Sequence, residues 1–526
     1  MLNFDFVVVG SGCSGVHAAQ TLLAKGAKLL MLDVGIQPTS GTKLIPDQDF
    51  VSLRKNDTDQ HEYFLGKKFE AVEKSWSKDK TRLTPLLSFI RQTAKEQVAL
   101  TGEWKSSFME SHARGGLGNA WGRGAYAFTD EELKKVGLET TITKSDYENI
   151  ISRIGVYGKG KISMGELSGT DANLQLDKSI TQLWNKFYKK QKTWNARGMF
   201  LERTPLAMSL KKINTDQRYH DMDFWSLKKT EGYHPSVTLH LLNRNPNFFY
   251  WDNALVKSFD EKGDNVQVNF FNTQSKTNEM VACRKLILCA SVLGTARIVL
   301  QSFQAYEKKL SLLCNPFVYT SWLNLGMLGT QNSVKKSSYS QVSLFFKPNG
   351  ISDFHLMNMY TYRSLLLNKL IREIPLGFRL AYQLISMFKE ALVFGGMHLP
   401  EVLHPNNTVQ LIRKKNKVLD TSLKIDYRDD HTNVDRSLAF IKRKMLGLGC
   451  VALITKKVPP GSSKHYGGTL PFSNHNIPFT LNPKGRLNGT KNIYVGDASG
   501  FRFLPSKGLT LTIMTNAHRV ALNAAG

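Results

Sequence analysis

Apolar residues fall into runs whose spacing predicts the first elements of the chain. Phe4 to Val9 is apolar but for Asp5, as a short buried strand requires. From Val16 to Lys25, Ala18, Ala19, Leu22 and Leu23 recur on one side of a helix, and Gly26 stands where a C-cap belongs. Lys28 to Leu32 reads as a second strand ending in Asp33. Much later, Tyr339–Lys347 and Phe354–Tyr362 alternate apolar and polar positions, the period of half-buried strands. Arg363 to Phe394 carries Leu and Ile at helical spacing among Arg363, Lys369, Arg372, Arg379 and Lys389, and Pro375 divides it into two expected helices. The longest charge-free stretch, Leu310 to Val334, is interrupted by Asn315, Pro316, Ser321, Asn324, Gln331 and Asn332, which makes it too polar for a membrane span.

Between the first strand and the first helix lies Gly10-Ser-Gly12-Cys-Ser-Gly15. In this strand–turn–helix–strand setting each glycine has a task. Gly10 permits a tight turn, Gly12 lets backbone approach a pyrophosphate, and Gly15 lets helix and strand pack closely. The helix N-terminus then faces the phosphates. Asp33, 23 residues after Gly10, places a carboxylate where a ribose 2′-hydroxyl is accepted and a 2′-phosphate is disfavoured. The unit predicts dinucleotide binding without separating NAD from FAD.

Composition adds bounds. The chain has 526 residues, 41% of them apolar, enough for two packed domains. Lys and Arg number 70 against 43 Asp and Glu, a formal charge of +27. Such an excess suits an anionic partner or simply a solvated basic surface. Nucleic acid is the poorer partner, because no zinc, RRM or helix-turn-helix signature accompanies the charge. The segment Arg363–Phe394 has two readings: a helical pair packed on a sheet, or an interfacial element resting on an anionic membrane. Five cysteines, Cys13, Cys283, Cys289, Cys314 and Cys450, form no CxxC and no metal-like cluster, which predicts free thiols, a reducing compartment and no metal. The first strand begins at Phe4, leaving no room for a cleavable signal peptide. A cytoplasmic protein, peripheral at the inner face of a membrane, is the resulting expectation.

Further motifs extend the glycine unit. Arg114-Gly-Gly-Leu-Gly-Asn-Ala-Trp-Gly122 is a second glycine-rich loop, and Asn492-Ile-Tyr-Val-Gly-Asp-Ala-Ser499 reads as a strand followed, from Gly508, by a closing helical pattern. Asn247–Val256, Arg284–Arg297 and Val409–Tyr427 stand between them as strand-like landmarks, and Ser463-Lys-His465-Tyr-Gly-Gly-Thr469 precedes the closing block. Together and in this order they resemble the glucose–methanol–choline (GMC) oxidoreductases, nearest to the pyranose oxidase and the gluconate and glucoside dehydrogenase branch.

The resemblance implies an α/β protein: a Rossmann-like FAD-binding domain plus a substrate domain, α+β in character, built on an antiparallel sheet. The FAD-binding part is expected to be discontinuous, from residues 1–160, 235–310 and 460–526, with 161–234 and 311–459 forming the substrate domain. It implies FAD contacts from Gly115, Gly116, Gly118, Asn119 and Trp121 of the second loop, from Val256 beside the adenine, and from Asp497 and Ala498 near the ribityl and pyrophosphate groups. Ala120 stands where some relatives carry a flavin-linking histidine, and His112 is out of register, so the FAD is expected to be non-covalent. Residues 46–100 match a segment that covers the flavin entrance in such proteins, or else form a surface insertion.

His465 takes the position of the family's base in His-x-x-Gly-Thr, with Gly468 and Thr469 in the turn. A neutral imidazole suits that role because its pKa lies near neutrality. The family's second substrate-holding residue, a His or Asn, aligns with Gly508, which has no side chain to donate. Lys507, or Ser506 beside it, is the expected substitute. The implied activity is oxidation of a CH–OH group on a sugar, sugar-lipid or other small-molecule or lipid-linked alcohol, with oxygen, a quinone or a protein as acceptor. The alternative is a flavoprotein of the same fold doing lyase or isomerase chemistry, which Gly508 keeps open.

Overall fold

A computed structural model describes residues 4–38, 56–59, 62, 89–94, 98–105, 107–139, 141–158, 160–167, 175–208, 232–330, 339–361, 374–413 and 421–526. Most of the expected entrance segment 46–100 therefore lies outside the described residues, as do Arg363, Lys369 and Arg372.

The opening strand Phe4–Val9 is central in its sheet, with parallel neighbours on both sides: Leu29–Leu32 and Asn278–Leu288. Phe248–Trp251 extends the sheet beyond Leu29–Leu32, and Ile493–Val495 pairs with the end of Asn278–Leu288. Both opening strands are buried on both faces except at Asp5, as their apolar runs require. Antiparallel strands Ala254–Lys262 and Asn265–Asn272 complete the sheet. The opening helix runs Cys13–Ala24, three residues earlier than its apolar spacing predicts, because Gly15 lies inside its first turn. It packs between the sheet and the closing helix Thr510–Ala525.

A second sheet is wholly antiparallel, in the order Cys450–Lys457, Phe317–Asn324, Leu392–His398, His355–Thr361, Val342–Phe346, Met199–Arg203. The two alternating segments expected near 339–347 and 354–362 are its strands Val342–Phe346 and His355–Thr361. Helices Lys178–Lys189 and Thr432–Gly447 cover it through Ile180, Leu183, Phe187, Leu438 and Ile441. The hairpin Thr408–Arg413 and Thr421–Asp426, expected by resemblance in the substrate half, buries Val409, Leu411, Leu423 and Ile425 in the main core with the nucleotide sheet. Of the segment Arg363–Phe394, the described part forms one helix, Phe378–Phe388; its end departs from helix at Leu392, where Leu-Val-Phe-Gly-Gly opens the strand Leu392–His398. Branched and aromatic residues favour strand there, and paired glycines weaken a helix.

Candidate active site

The two glycine loops meet. Gly10 has φ of +98°, and a Cβ there would stand 2.6 Å from the Cys289 carbonyl oxygen. Gly15 is closed to any side chain, since its Cβ would lie 1.8 Å from the Gly10 oxygen. Gly12 differs: among the described residues its Cβ would have only the Gly115 oxygen near it, at 4.0 Å. Across from it, a Cβ on Gly116 would first meet the Gly12 Cα, at 3.7 Å. Bare backbone from both loops thus forms a cradle that side chains would fill. The Ser11 hydroxyl links the loops, accepting from Gly115 N–H at 2.8 Å and donating to Asp33. Asp33 also accepts from the Tyr250 hydroxyl at 3.1 Å. Burial raises the Asp33 carboxyl to about 6 against the opposing pull of these hydrogen bonds. Its carboxylate closes the second strand, beside the cradle.

The remaining expected cofactor residues divide between lining and bracing. Asn119 is buried and donates its amide to the Arg114 and Gly116 carbonyls at 2.9 and 3.0 Å, which holds the loop's shape. A Cβ on Gly118 would strike Pro235 and Cys13, so this glycine serves close packing against the opening helix. Trp121 packs on the main core and its carbonyl accepts from buried Arg123. Val256 is buried at a bulge two residues beyond Ala254, whose N–H donates to the Asp33 carbonyl at 2.9 Å. Asp497 accepts from Thr295 and from the Ser499 N–H and hydroxyl, capping the short turn Ala498–Gly500. Ala498 O in turn accepts from Gly468 N–H at 3.3 Å. The turn therefore carries the His465 hairpin.

His465 is half-buried, and burial pulls its imidazole down to about 4, so it is neutral at pH 7. Its Nδ1 faces the Asn315 Oδ1 at 3.3 Å. The orientation of that amide is fixed from the other side: Asn315 Nδ2 donates to the carbonyls of Leu399, Pro505 and Leu504 at 2.7, 3.1 and 3.4 Å. Oδ1 can only accept, which puts the His465 proton on Nδ1 and the lone pair on Nε2. His398 lies parallel to His465, with ring centroids 4.6 Å apart and planes 15° apart. Its pKa is held well below the ordinary value, first by burial and then by His465.

Sequence reasoning did not find Asn315 or His398. Strand pairing brings them in. Leu313–Cys314 pairs with Tyr466–Gly467, and the next strand places Phe317 opposite His398. Neither residue sits in a local pattern; the break at Asn315-Pro316 in a charge-free run is the one trace of it. The Tyr466 hydroxyl accepts from Met109 N–H at 3.1 Å, which ties this hairpin to the chain entering the second glycine loop.

Lys507 is placed differently from the expectation. Its ammonium is buried, 2.7 Å from Glu132 and 3.0 Å from the Ala127 carbonyl. Glu132 already caps the helix Asp130–Val136 through Thr129 N–H. Lys507 thus spends its donors fastening the loop before the closing helix, because a buried ammonium demands an anion. Ser506 donates to the Phe354 carbonyl at 2.7 Å. At Gly508 a Cβ would stand 3.2 Å from the Tyr126 ring and 3.3 Å from the Gly124 oxygen. A side chain there would press on Tyr126, which would have to give by a few tenths of an ångström.

Fold and site together define a two-part α/β class: a dinucleotide-type sheet, parallel at its centre, beside which two glycine loops meet, joined to an antiparallel sheet whose strand Leu392–His398 ends on a histidine stacked against His465. A solved protein of this architecture is an FAD-dependent oxidoreductase from Chaetomium thermophilum, determined with a butanamide fragment bound; the chain is similar to it over 99% of both proteins, with a TM-score of 0.57 and 13% identity. At that identity the likeness establishes a shared fold. No family model matches the sequence, and no curated protein matches it.

Proposed function

We propose that this protein is an FAD-dependent oxidoreductase of the GMC type that oxidises a CH–OH group, with His465 as base. The reading is supported most by the Asn315 clamp, which presents a lone pair on His465 Nε2. The cofactor fits the chain's own geometry: backbone at Gly12 and Gly116 leaves room for a pyrophosphate, and Asp33 offers a ribose acceptor. Bound there, FAD supplies a two-electron hydride acceptor. Ala120, not a histidine, stands immediately before Trp121, so the cofactor is held without a covalent bond there.

The protein's residues manage the proton. His465 Nε2 accepts it from the alcohol, and the developing imidazolium keeps its Nδ1–H on Asn315. The substrate oxygen needs a second partner, and His398 takes the part that Gly508 cannot. Among the described residues its Nδ1 is buried without a hydrogen-bond partner. An orphan acceptor is tolerated inside a protein more readily than an orphan N–H, so the His398 proton resides on Nε2, ready to donate. The two stacked rings then offer one acceptor and one donor.

Anaerobic addition of sugars and other primary and secondary alcohols to the purified yellow protein tests the reading. Bleaching of the flavin band by one of them, with an oxidised product, is expected. A flavin that stays oxidised with every alcohol, while the enzyme converts one of them without redox change, overturns it in favour of lyase or isomerase chemistry. A protein that neither carries nor takes up FAD overturns it altogether.

A further inference from the structure

The helix Phe378–Phe388 touches the rest of the protein along a narrow stripe. Ala381 is buried there, with Ile385 and Phe388 partly so, spaced at i, i+4 and i+7. Its flanks are apolar and open: Leu376 just before it, then Phe378, Leu380, Tyr382 and Met387, each 49–66% exposed. The turn Lys389–Ala391 that follows packs against the turn Leu325–Met327, where Leu325 and Leu328 are each 44% exposed and extend the patch. Single exposed apolar residues are ordinary; five on one short helix and the turn before it, disposed along both sides of the buried stripe, mark an interaction surface.

Charge selects the partner. Arg379 lies on the outward side of the helix, Lys389 follows its end, and Lys178 stands beside Ser179, which hydrogen-bonds Asn324 next to the patch. The whole chain carries +27. A second copy of the chain would bring the same charge and be repelled, whereas an anionic surface would be attracted. Nucleic acid matches the charge but has no use for five open apolar side chains. Among the described residues no helix is long and apolar enough to cross a membrane. Apolar flanks with a basic rim on a short surface helix are the features of an element lying in a lipid interface.

We propose that the helix Phe378–Phe388 is an interfacial anchor by which the protein rests reversibly on an anionic phospholipid surface. Each basic residue close to such a surface strengthens binding about fivefold, and this share weakens with salt. The apolar flanks supply the rest, which salt does not remove.

The FAD-loaded full chain is sedimented with vesicles of phosphatidylglycerol and phosphatidylcholine, and with phosphatidylcholine alone, at low and high salt. Binding to the anionic vesicles is expected to exceed binding to the neutral ones at least tenfold and to weaken with salt. The variant Phe378→Glu/Met387→Glu should lose at least tenfold in anionic-vesicle affinity while keeping its flavin spectrum and melting temperature. Those side chains are exposed, so folding is not at stake, and Leu380→Ser/Tyr382→Ser gives a charge-neutral check with the same expected direction. Equal binding to both vesicle types, or undiminished binding by both variants, overturns the proposal. So does a wild-type dimer in light scattering that the variants dissolve, which would assign the face to a second copy, or retention of the chain by an oligonucleotide in place of vesicles.

Discussion

Gly12 and Gly15 belong to one motif but face different things, and alanine at each separates the two roles. In Gly15→Ala the new Cβ would lie 1.8 Å from the Gly10 oxygen. Carbon–oxygen contacts ordinarily begin near ~3.3 Å, so the helix must recede from the strand turn by about 1.5 Å. Overpacking of that kind costs about 1–3 kcal/mol, and it falls on the protein whether or not cofactor is present. In Gly12→Ala the Cβ has the Gly115 oxygen at 4.0 Å, an ordinary contact, and φ is −67°. The protein without cofactor should therefore keep its stability within about 0.5 kcal/mol. FAD, sharing that cradle, should lose at least tenfold in affinity, or about 1.4 kcal/mol. Thermal melting of stripped protein and fluorescence titration with FAD measure both quantities. Gly15→Ala should fail in both and Gly12→Ala in the second alone. If Gly12→Ala destabilised the stripped protein as much as Gly15→Ala does, or bound FAD normally, Gly12 would not be the ligand-facing position.

Three further outcomes follow from the same geometry. His465→Ala should retain FAD yet slow flavin reduction by the alcohol about 10²–10⁴-fold; stopped-flow traces matching wild type would pass the proton to another group. Lys507→Ala should cost about 3 kcal/mol of stability, because it leaves the Glu132 carboxylate without its buried partner; a slowed flavin reduction with an unchanged melting temperature would return Lys507 to the reaction. Stability should decline in mild acid: burial holds His17 at about 3, His234 at about 2 and His355, His465 and His518 at about 4, all below the ordinary 6.5. Above 6.5 neither folded nor unfolded chain takes up protons on these rings; from 6.5 down toward 4 only the unfolded chain does, and the folded state loses ground. A melting temperature level from pH 6.5 to 4.5 would contradict these buried neutral forms.

What could be read in the sequence was local. Gly10, Gly12, Gly15 and Asp33 act through turn, helix start and strand end within one short unit, and their spacing carries the geometry. The strands near 342–346 and 355–361 were legible as strands, but not their burial: Val342–Phe346 is buried on both faces, which alternation does not announce. Partnerships across the chain left no such record. Lys507 and Glu132 are separated by 375 positions, so nothing near Lys507 announces that its charge is already matched. His398 and Asn315 meet His465 only because an antiparallel register sets Phe317 against His398. Gly508 drew notice by resemblance, but the crowding it meets comes from Tyr126, far away in the chain.

The residue after Asn315 also bears on how the site ages. Side-chain amides in proteins are lost over time when the next residue's backbone nitrogen, freed of its hydrogen, attacks them and closes a ring. Proline has no N–H, so Pro316 closes that route for Asn315. Loss of the amide would be unusually damaging here, because a carboxylate would replace a donor aimed at three carbonyl oxygens and would set a negative charge against the His465 ring. The group that assigns the histidine's proton is thus shielded from the slow chemistry that would reverse the assignment, and a long-stored sample should keep an amide, not a carboxylate, against His465.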